Sequence, residues 1–206
     1  SIFHKLKLSD WSSQSSFSKK KNSIGIEGEA VMPFYTLVME DNPRNQMLRS
    51  VNYSNQNLEK FNNSDVNLKI YKNKKIKIGY YSSDFFDHAT MFLISGLLRE
   101  HNTEEFEIFV FSYGNVKQSQ LVDDTMKKVN LFKNISKMSD LEIVDLSRKL
   151  EIDIAIDLKG YTLNSRSKLF AYRLAPIQIN YLGYPGTLGS SFIDYLVADK
   201  TLIPSE

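Results

Sequence analysis

The chain has 206 residues, 42% of them hydrophobic and including 13 Phe and 11 Tyr, enough for one sizeable core with an appendage but thin for two. A net charge of +2 and the lack of any cysteine give no reason to expect nucleic acid or an acidic membrane surface as partner, and exclude disulfides and thiolate metal sites. Three scattered histidines do not have zinc-site spacing, no apolar run approaches the ~20 residues of a bilayer span, and the N-terminus lacks a signal-peptide apolar core, so a cytoplasmic protein without a metal is expected.

Residues 1–30 open with a short amphipathic piece ending at Asp10-Trp11, followed by a Ser/Lys-rich stretch that reads as a solvated connector. From Val31 the pattern turns helical, is stopped by Asn42-Pro43, and resumes in a second helix starting near Pro43 that carries Met47, Leu48 and Val51. These helices are expected to cap the domain that follows, with the polar run Asn62-Asn63-Ser64-Asp65 marking the boundary. The predicted organisation is an N-terminal helical segment and linker over 1–70 and an α/β domain over 71–206.

From Lys74 onward, strands alternate with helices. Ile76, Ile78 and Tyr80 lie on one face of a first strand. Phe106–Ser112 is apolar on both faces, as a central parallel strand covered by helices on both sides must be. Ser139-Asp140-Leu141-Glu142 is a capping box that opens a helix with Ile143, Leu146 and Leu150 on one stripe. Ile152, Ile154, Ile156 and Leu158 mark the next strand, Ile177–Leu182 another, and Tyr195–Ala198 a last one. This alternation predicts right-handed βαβ units and a doubly wound, Rossmann-like, mostly parallel sheet. The chain begins without Met and stops soon after its last strand, which reads as a piece of a longer protein.

Three polar or glycine-containing turns follow predicted strands: Ser82-Ser83-Asp84 with His88, then Lys159-Gly160-Tyr161-Thr162, then Gly183-Tyr184-Pro185-Gly186-Thr187. Turns at the carboxyl ends of parallel strands converge on one rim of the sheet, where open α/β folds bind ligands. Each turn also has a plain structural reading. His88 and Asp84 suit simple capping of a helix or turn, and glycine and proline punctuate ordinary loops. Asp157 and Lys159 are expected to pair with each other at the strand end, outside any catalytic set. His4 and His101 read as surface residues, Lys72, Lys74, Lys75 and Lys77 as a solvated lead into the strand, and Phe106, Phe109 and Phe111 as core rather than a base-stacking platform.

The segments IGYYSSDFFDHAT, FEIFVFSYG, IDIAIDLKGYT and LFAYRLAPIQINYLGYPGTLGSSFIDYLVAD, in this order, resemble the first half of the catalytic region of O-GlcNAc transferase and Spindly-like glycosyltransferases. The resemblance runs from about Asp10 to Glu206 and is weakest before Val31. It implies the N-terminal half of a GT-B enzyme, with a second Rossmann-like half beyond Glu206 supplying most nucleotide contacts and tetratricopeptide repeats before Ser1. The implied reaction is inverting transfer of N-acetylglucosamine from UDP-N-acetylglucosamine to Ser or Thr hydroxyls of a protein acceptor. A GDP-fucose donor and a non-catalytic scaffold are the alternatives.

By the same resemblance His88 and Thr90 match a His-Pro-Thr segment beside the donor, with Ala89 in place of the proline, and Asp84 matches the acid of a Ser-Asp-Phe turn implicated in activity. Leu182, Gly183 and Pro185 match a loop that approaches the donor, while Tyr161 and Thr162 match an acceptor-side loop. A second histidine of animal members would fall near Met32 and is absent. Attack by a hydroxyl on an anomeric carbon requires removal of its proton, by an imidazole, a carboxylate or an oxygen of the donor. Asp84 either holds His88 in one tautomer or accepts the proton itself through water, and both readings stand at this stage.

Overall fold

The computed structural model describes residues 4–5, 8–13, 15, 18, 20, 22–62, 68, 70–115, 117 and 119–204. The chain forms two compact units: Ser1–Lys60 together with Pro185–Ser191, and Phe61–Tyr184 together with Phe192–Glu206. The sequence pattern places the division at 70/71 and its marker at Asn62–Asp65; residues 63–65 of that marker lie outside the described residues.

The smaller unit contains α1 (Phe34–Leu37) and α2 (Pro43–Asn57). Asn42 caps α2 by accepting a hydrogen bond from the Asn45 N–H, with Pro43 at the first helical position where its missing N–H costs nothing. Its buried side is polar: Arg49, Ser50 and Ser54 are inside, whereas Met47 and Leu48 are exposed. Arg49 is tolerated there because Glu40 pairs with its guanidinium at 2.7 Å and the Ile24 carbonyl accepts from its Nε at 2.9 Å. In the same unit Glu59 accepts from the Ser191 hydroxyl at 2.9 Å.

The larger unit is a six-stranded, all-parallel sheet in the order β3-β2-β1-β4-β5-β6. The strands are β1 (Ile76–Ser82), β2 (Phe106–Ser112), β3 (Leu131–Asn134), β4 (Ile154–Asp157), β5 (Ile177–Tyr181) and β6 (Tyr195–Val197). The helices are α3 (Ala89–Glu100), α4 (Gln120–Met126), α5 (Asp140–Lys149) and the single turn α6 (Lys168–Ala171). One face of the sheet packs Ile78, Tyr80, Ile108, Val110 and Ile156 against Met91, Ile94 and Leu98 of α3 and Val122 of α4. On the other face Tyr81 stacks on Phe111, meets Phe170 of α6 edge-on, and donates its hydroxyl proton to Ser147 of α5 at 2.8 Å. This two-sided cover is why Ile78–Ser82 and Ile108–Ser112 are buried at every position.

The doubly wound Rossmann-like sheet matches the expectation from sequence, and so do the capping box of α5 and the named strands, within a residue or two at their ends. The buried stripe of α5 is Ile143, Val144 and Ser147, with Leu146 and Leu150 only half-buried, because the helix turns Ser147 inward to meet Tyr81. His101 is half-buried rather than a plain surface residue: its Nε2 lies 2.8 Å from the Tyr80 hydroxyl, and burial lowers its pKa. Lys77 also departs from the solvated reading, donating to the Leu150 carbonyl at 3.0 Å.

Candidate active site at the switch point of the sheet

The order of the sheet reverses between β1 and β4, so the loops leaving these two neighbouring strands diverge to opposite faces and open a crevice at their carboxyl ends. Asp84 lies two residues beyond β1 and Lys159 two residues beyond β4. Their side chains close across the switch point, Nζ to Oδ2 at 2.7 Å, with both 7 to 8% exposed. The expected pairing of Lys159 with Asp157 is therefore corrected. The Asp157 carboxylate accepts instead from the backbone N–H groups of Lys159 (2.9 Å) and Gly160 (3.1 Å), shaping the turn that sends Lys159 toward Asp84.

Asp84 is held from three further directions. Its backbone N–H donates to Ser82 Oγ at 3.0 Å, its Oδ1 accepts from Ser83 Oγ at 2.9 Å, and its Oδ2 lies 3.7 Å from His88 Nδ1. That last separation is an electrostatic contact, too long for a hydrogen bond. His88 is the N-cap of α3, and its Nδ1 accepts from the Thr90 N–H at 3.2 Å. An accepting Nδ1 carries no proton, so the neutral ring bears its hydrogen on Nε2. The side chain is 41% exposed and within reach of a ligand. Thr90 is buried beneath it.

The third loop joins through close backbone approach. A Cβ on Gly183 would stand 1.7 Å from the Leu158 carbonyl oxygen, so only glycine permits the loop after β5 to rest on the end of β4. Just before it, the Gly183 N–H closes a three-residue turn on the Tyr181 carbonyl at 2.8 Å, with Leu182 at φ +69. A non-glycine residue in this left-handed region is a local strain of the kind that collects at ligand sites. The loop after β2 belongs to the same rim, because a Cβ on Gly114 would stand 2.0 Å from the Ser83 carbonyl oxygen.

Tyr161 is 2% exposed and packs its ring on Tyr184 at 5.8 Å between centroids, while Thr162 donates its hydroxyl proton to the Lys159 carbonyl at 2.9 Å. Of the residues read from sequence, His88, Asp84, Leu182, Gly183, Tyr161 and Thr162 lie in the larger unit on loops leaving β1, β4 and β5, and Thr90 lies in the first turn of α3. Pro185 belongs to the smaller unit. The sequence places Lys159 in a rim turn but outside the catalytic set, and nothing in it singles out Tyr113; the structure brings Lys159 to Asp84 because both follow adjacent strands at the switch point.

Two buried groups set the electrostatics. Burial pushes the Asp157 carboxyl up to about 6, opposed by the Lys159 and Gly160 N–H groups, Asn180 and the Lys159 charge. Burial likewise pushes the Tyr113 phenol well above its usual value, with the Asp157 and Asp84 charges adding to the effect and Arg166 opposing it. Among the described residues no group of three His, Cys, Asp or Glu side chains is placed to hold a metal ion.

The family model for glycosyl transferase family 41 matches residues 48–206. The Arabidopsis thaliana protein named Probable UDP-N-acetylglucosamine–peptide N-acetylglucosaminyltransferase SEC is 36% identical over 127 residues, covering 62% of this chain and 13% of that protein. The Caenorhabditis elegans UDP-N-acetylglucosamine–peptide N-acetylglucosaminyltransferase is 33% identical over 134 residues, covering 62% of this chain and 11% of its own length. A solved structure of a mutant O-GlcNAc transferase from Thermobaculum terrenum has a TM-score of 0.72 at 23% identity, over 80% of this chain and 32% of that one, and shares the fold. The chain thus spans little more than a tenth of the length of these curated relatives.

Proposed function

The chain belongs to glycosyl transferase family 41, and from that premise we propose that it forms the N-terminal Rossmann-like half of a GT-B catalytic region. The proposed reaction is inverting transfer of N-acetylglucosamine from UDP-N-acetylglucosamine to Ser or Thr hydroxyls of a protein acceptor. The relatives' names state this donor and a peptide acceptor. In the same reading a second Rossmann-like half with most nucleotide contacts, and upstream tetratricopeptide repeats, belong to the longer cytoplasmic protein. No metal takes part.

The observation that carries the reading is the meeting of His88, Asp84 and the Leu182–Gly183 turn around the switch point of a family 41 sheet. In the proposed mechanism the donor sugar and diphosphate lie over the N-terminus of α3. With Nδ1 committed to the Thr90 N–H, His88 offers an Nε2–H to the donor and steadies charge that develops as the glycosidic bond breaks. Asp84, filled by Lys159 and Ser83, acts as an anchor for this arrangement rather than as the proton acceptor. The hydroxyl proton then passes to an oxygen of the leaving diphosphate, since the imidazole and the carboxylate are both engaged. The Leu182–Gly183 turn brings backbone to the donor, and the Tyr161–Thr162 loop faces the acceptor side.

Isothermal titration of the full-length protein with UDP-N-acetylglucosamine, and with GDP-fucose as comparator, tests the donor. Saturable binding of the first with transfer to a Ser/Thr peptide supports the reading. Preference for GDP-fucose moves it to the Spindly-like branch, and binding of neither leaves a scaffold.

A further inference from the structure

Lys159 touches neither donor nor acceptor in the reaction just described. Its position is nevertheless unusual: a lysine whose side chain is 7% exposed, reaching from the loop after β4 to a carboxylate on the loop after β1, 75 positions away. A buried ammonium is costly unless paired, and here the pair is complete. The oxygen that Lys159 holds, Asp84 Oδ2, is the one that lies 3.7 Å from His88 Nδ1.

That shared oxygen sets two arrangements of His88 against each other. In one, Nδ1 is bare, accepts from the Thr90 N–H as the cap of α3, and the ring hydrogen sits on Nε2. In the other, Nδ1 carries the hydrogen and donates to Asp84, the cap is lost, and Nε2 becomes a lone-pair acceptor. A carboxylate without a cation would favour the second, because a buried anion takes whatever donor is within reach. With Lys159 on Oδ2 and Ser83 on Oδ1, the demand of Asp84 is met and Nδ1 stays with Thr90. The other charged group on this loop, Asp87, is exposed, and the buried Tyr113 senses Asp84 from the loop after β2. Neither competes for Nδ1.

We infer that Lys159 is a positioning residue that sets the tautomer of His88 by neutralising Asp84, keeping the ring hydrogen on Nε2. Its consequence for sugar transfer rests on the reading given above; the tautomer itself does not, so the test needs no turnover. The measurement is long-range nitrogen–proton correlation NMR of the isotope-labelled chain, with the His88 ring assigned against His88→Gln. The parent is expected to show a bare Nδ1 and a protonated Nε2. Lys159→Met is expected to transfer the hydrogen to Nδ1, Lys159→Arg to keep the parent pattern, and the double variant Lys159→Met with Asp84→Asn to restore it.

Unchanged His101 ring signals report that the Tyr80 contact, and with it the core, is intact in each variant. A folded Lys159→Met protein with the parent tautomer overturns the inference, and so does a double variant that fails to revert. If the NMR results hold while the full-length protein neither binds nor transfers a sugar, the glycosyl-transfer reading fails and the tautomer control survives.

Discussion

Gly183→Ala is the most exacting test of the packing that assembles the rim. The new Cβ would lie 1.7 Å from the Leu158 carbonyl oxygen and 3.4 Å from the Lys159 nitrogen. Ordinary contact begins at 3.4 Å, so the loop and the end of β4 must separate by about 1.7 Å, and both atoms are fixed to backbone. Leu158 is itself tied to β1 through the Tyr81 carbonyl, and Gly183 to Tyr181, so neither side yields freely. Overpacking of this kind costs about 1–3 kcal/mol, and breaking the turn at Leu182 adds to it. The lower unfolded-state entropy of alanine returns only about 0.4–1 kcal/mol. A net loss of about 2 kcal/mol corresponds to a melting temperature lower by about 4–8 °C for a chain of this size. Gly96→Ala is the matched control, because Gly96 sits inside α3 and, apart from the backbone of its own helix, nothing lies within 4 Å of where the new methyl group would stand; helix propensity there is worth about 1 kcal/mol in favour of alanine. Thermal unfolding followed by circular dichroism should move the two variants in opposite directions. A Gly183→Ala protein as stable as Gly96→Ala would refute the close approach of the β5 loop to β4.

In the full-length enzyme His88→Ala is expected to lower the transfer rate by roughly 10²-fold or more, the scale of losing one group that stabilises or protonates in the transition state; an unchanged rate removes His88 from the site. The chain of residues 1–206 alone is expected to bind UDP-N-acetylglucosamine weakly and to turn over nothing, and measurable transfer by it contradicts the two-half reading. Asp157, held at about 6 against 3.8 for the free group, binds its proton more tightly when folded. Its stabilising contribution is thus complete below about pH 4 and is lost as pH rises through about 6. Relative to Asp157→Asn, the parent should gain up to ~3 kcal/mol on acidification across that window, read from urea unfolding at each pH; parallel curves for the two proteins would remove Asp157 as the titrating group.

What could be read from the sequence was whatever is written locally. Phe106–Ser112 announces a strand covered on both faces because nearly every residue is apolar or small, and Asn42-Pro43 and Ser139–Glu142 announce helix starts because caps act within a few residues. β3 went unnamed: it is four residues long at the sheet edge, with no position fully buried and so no clear pattern. The pairing of Lys159 with Asp84 is a tertiary fact, produced by two adjacent strand ends far apart in the chain. The local alternative, Asp157, was nearer in sequence but spends its carboxylate on backbone N–H groups. His101 looked exposed because nothing local shows that Tyr80, on a strand 21 positions earlier, ends beside it. Equally, nothing in its neighbours marks Arg49 as buried, since its partner Glu40 precedes the helix that carries it.

The central claim, that loops from β1, β4 and β5 form one ligand-binding surface at the switch point, is tested most directly by titrating the isotope-labelled chain with UDP-N-acetylglucosamine and following backbone amide shifts. The expected result is a common saturation curve for residues 84–90, 158–160 and 182–184. Shifts confined to the amino-terminal ends of the strands, or spread without a common curve, would contradict it.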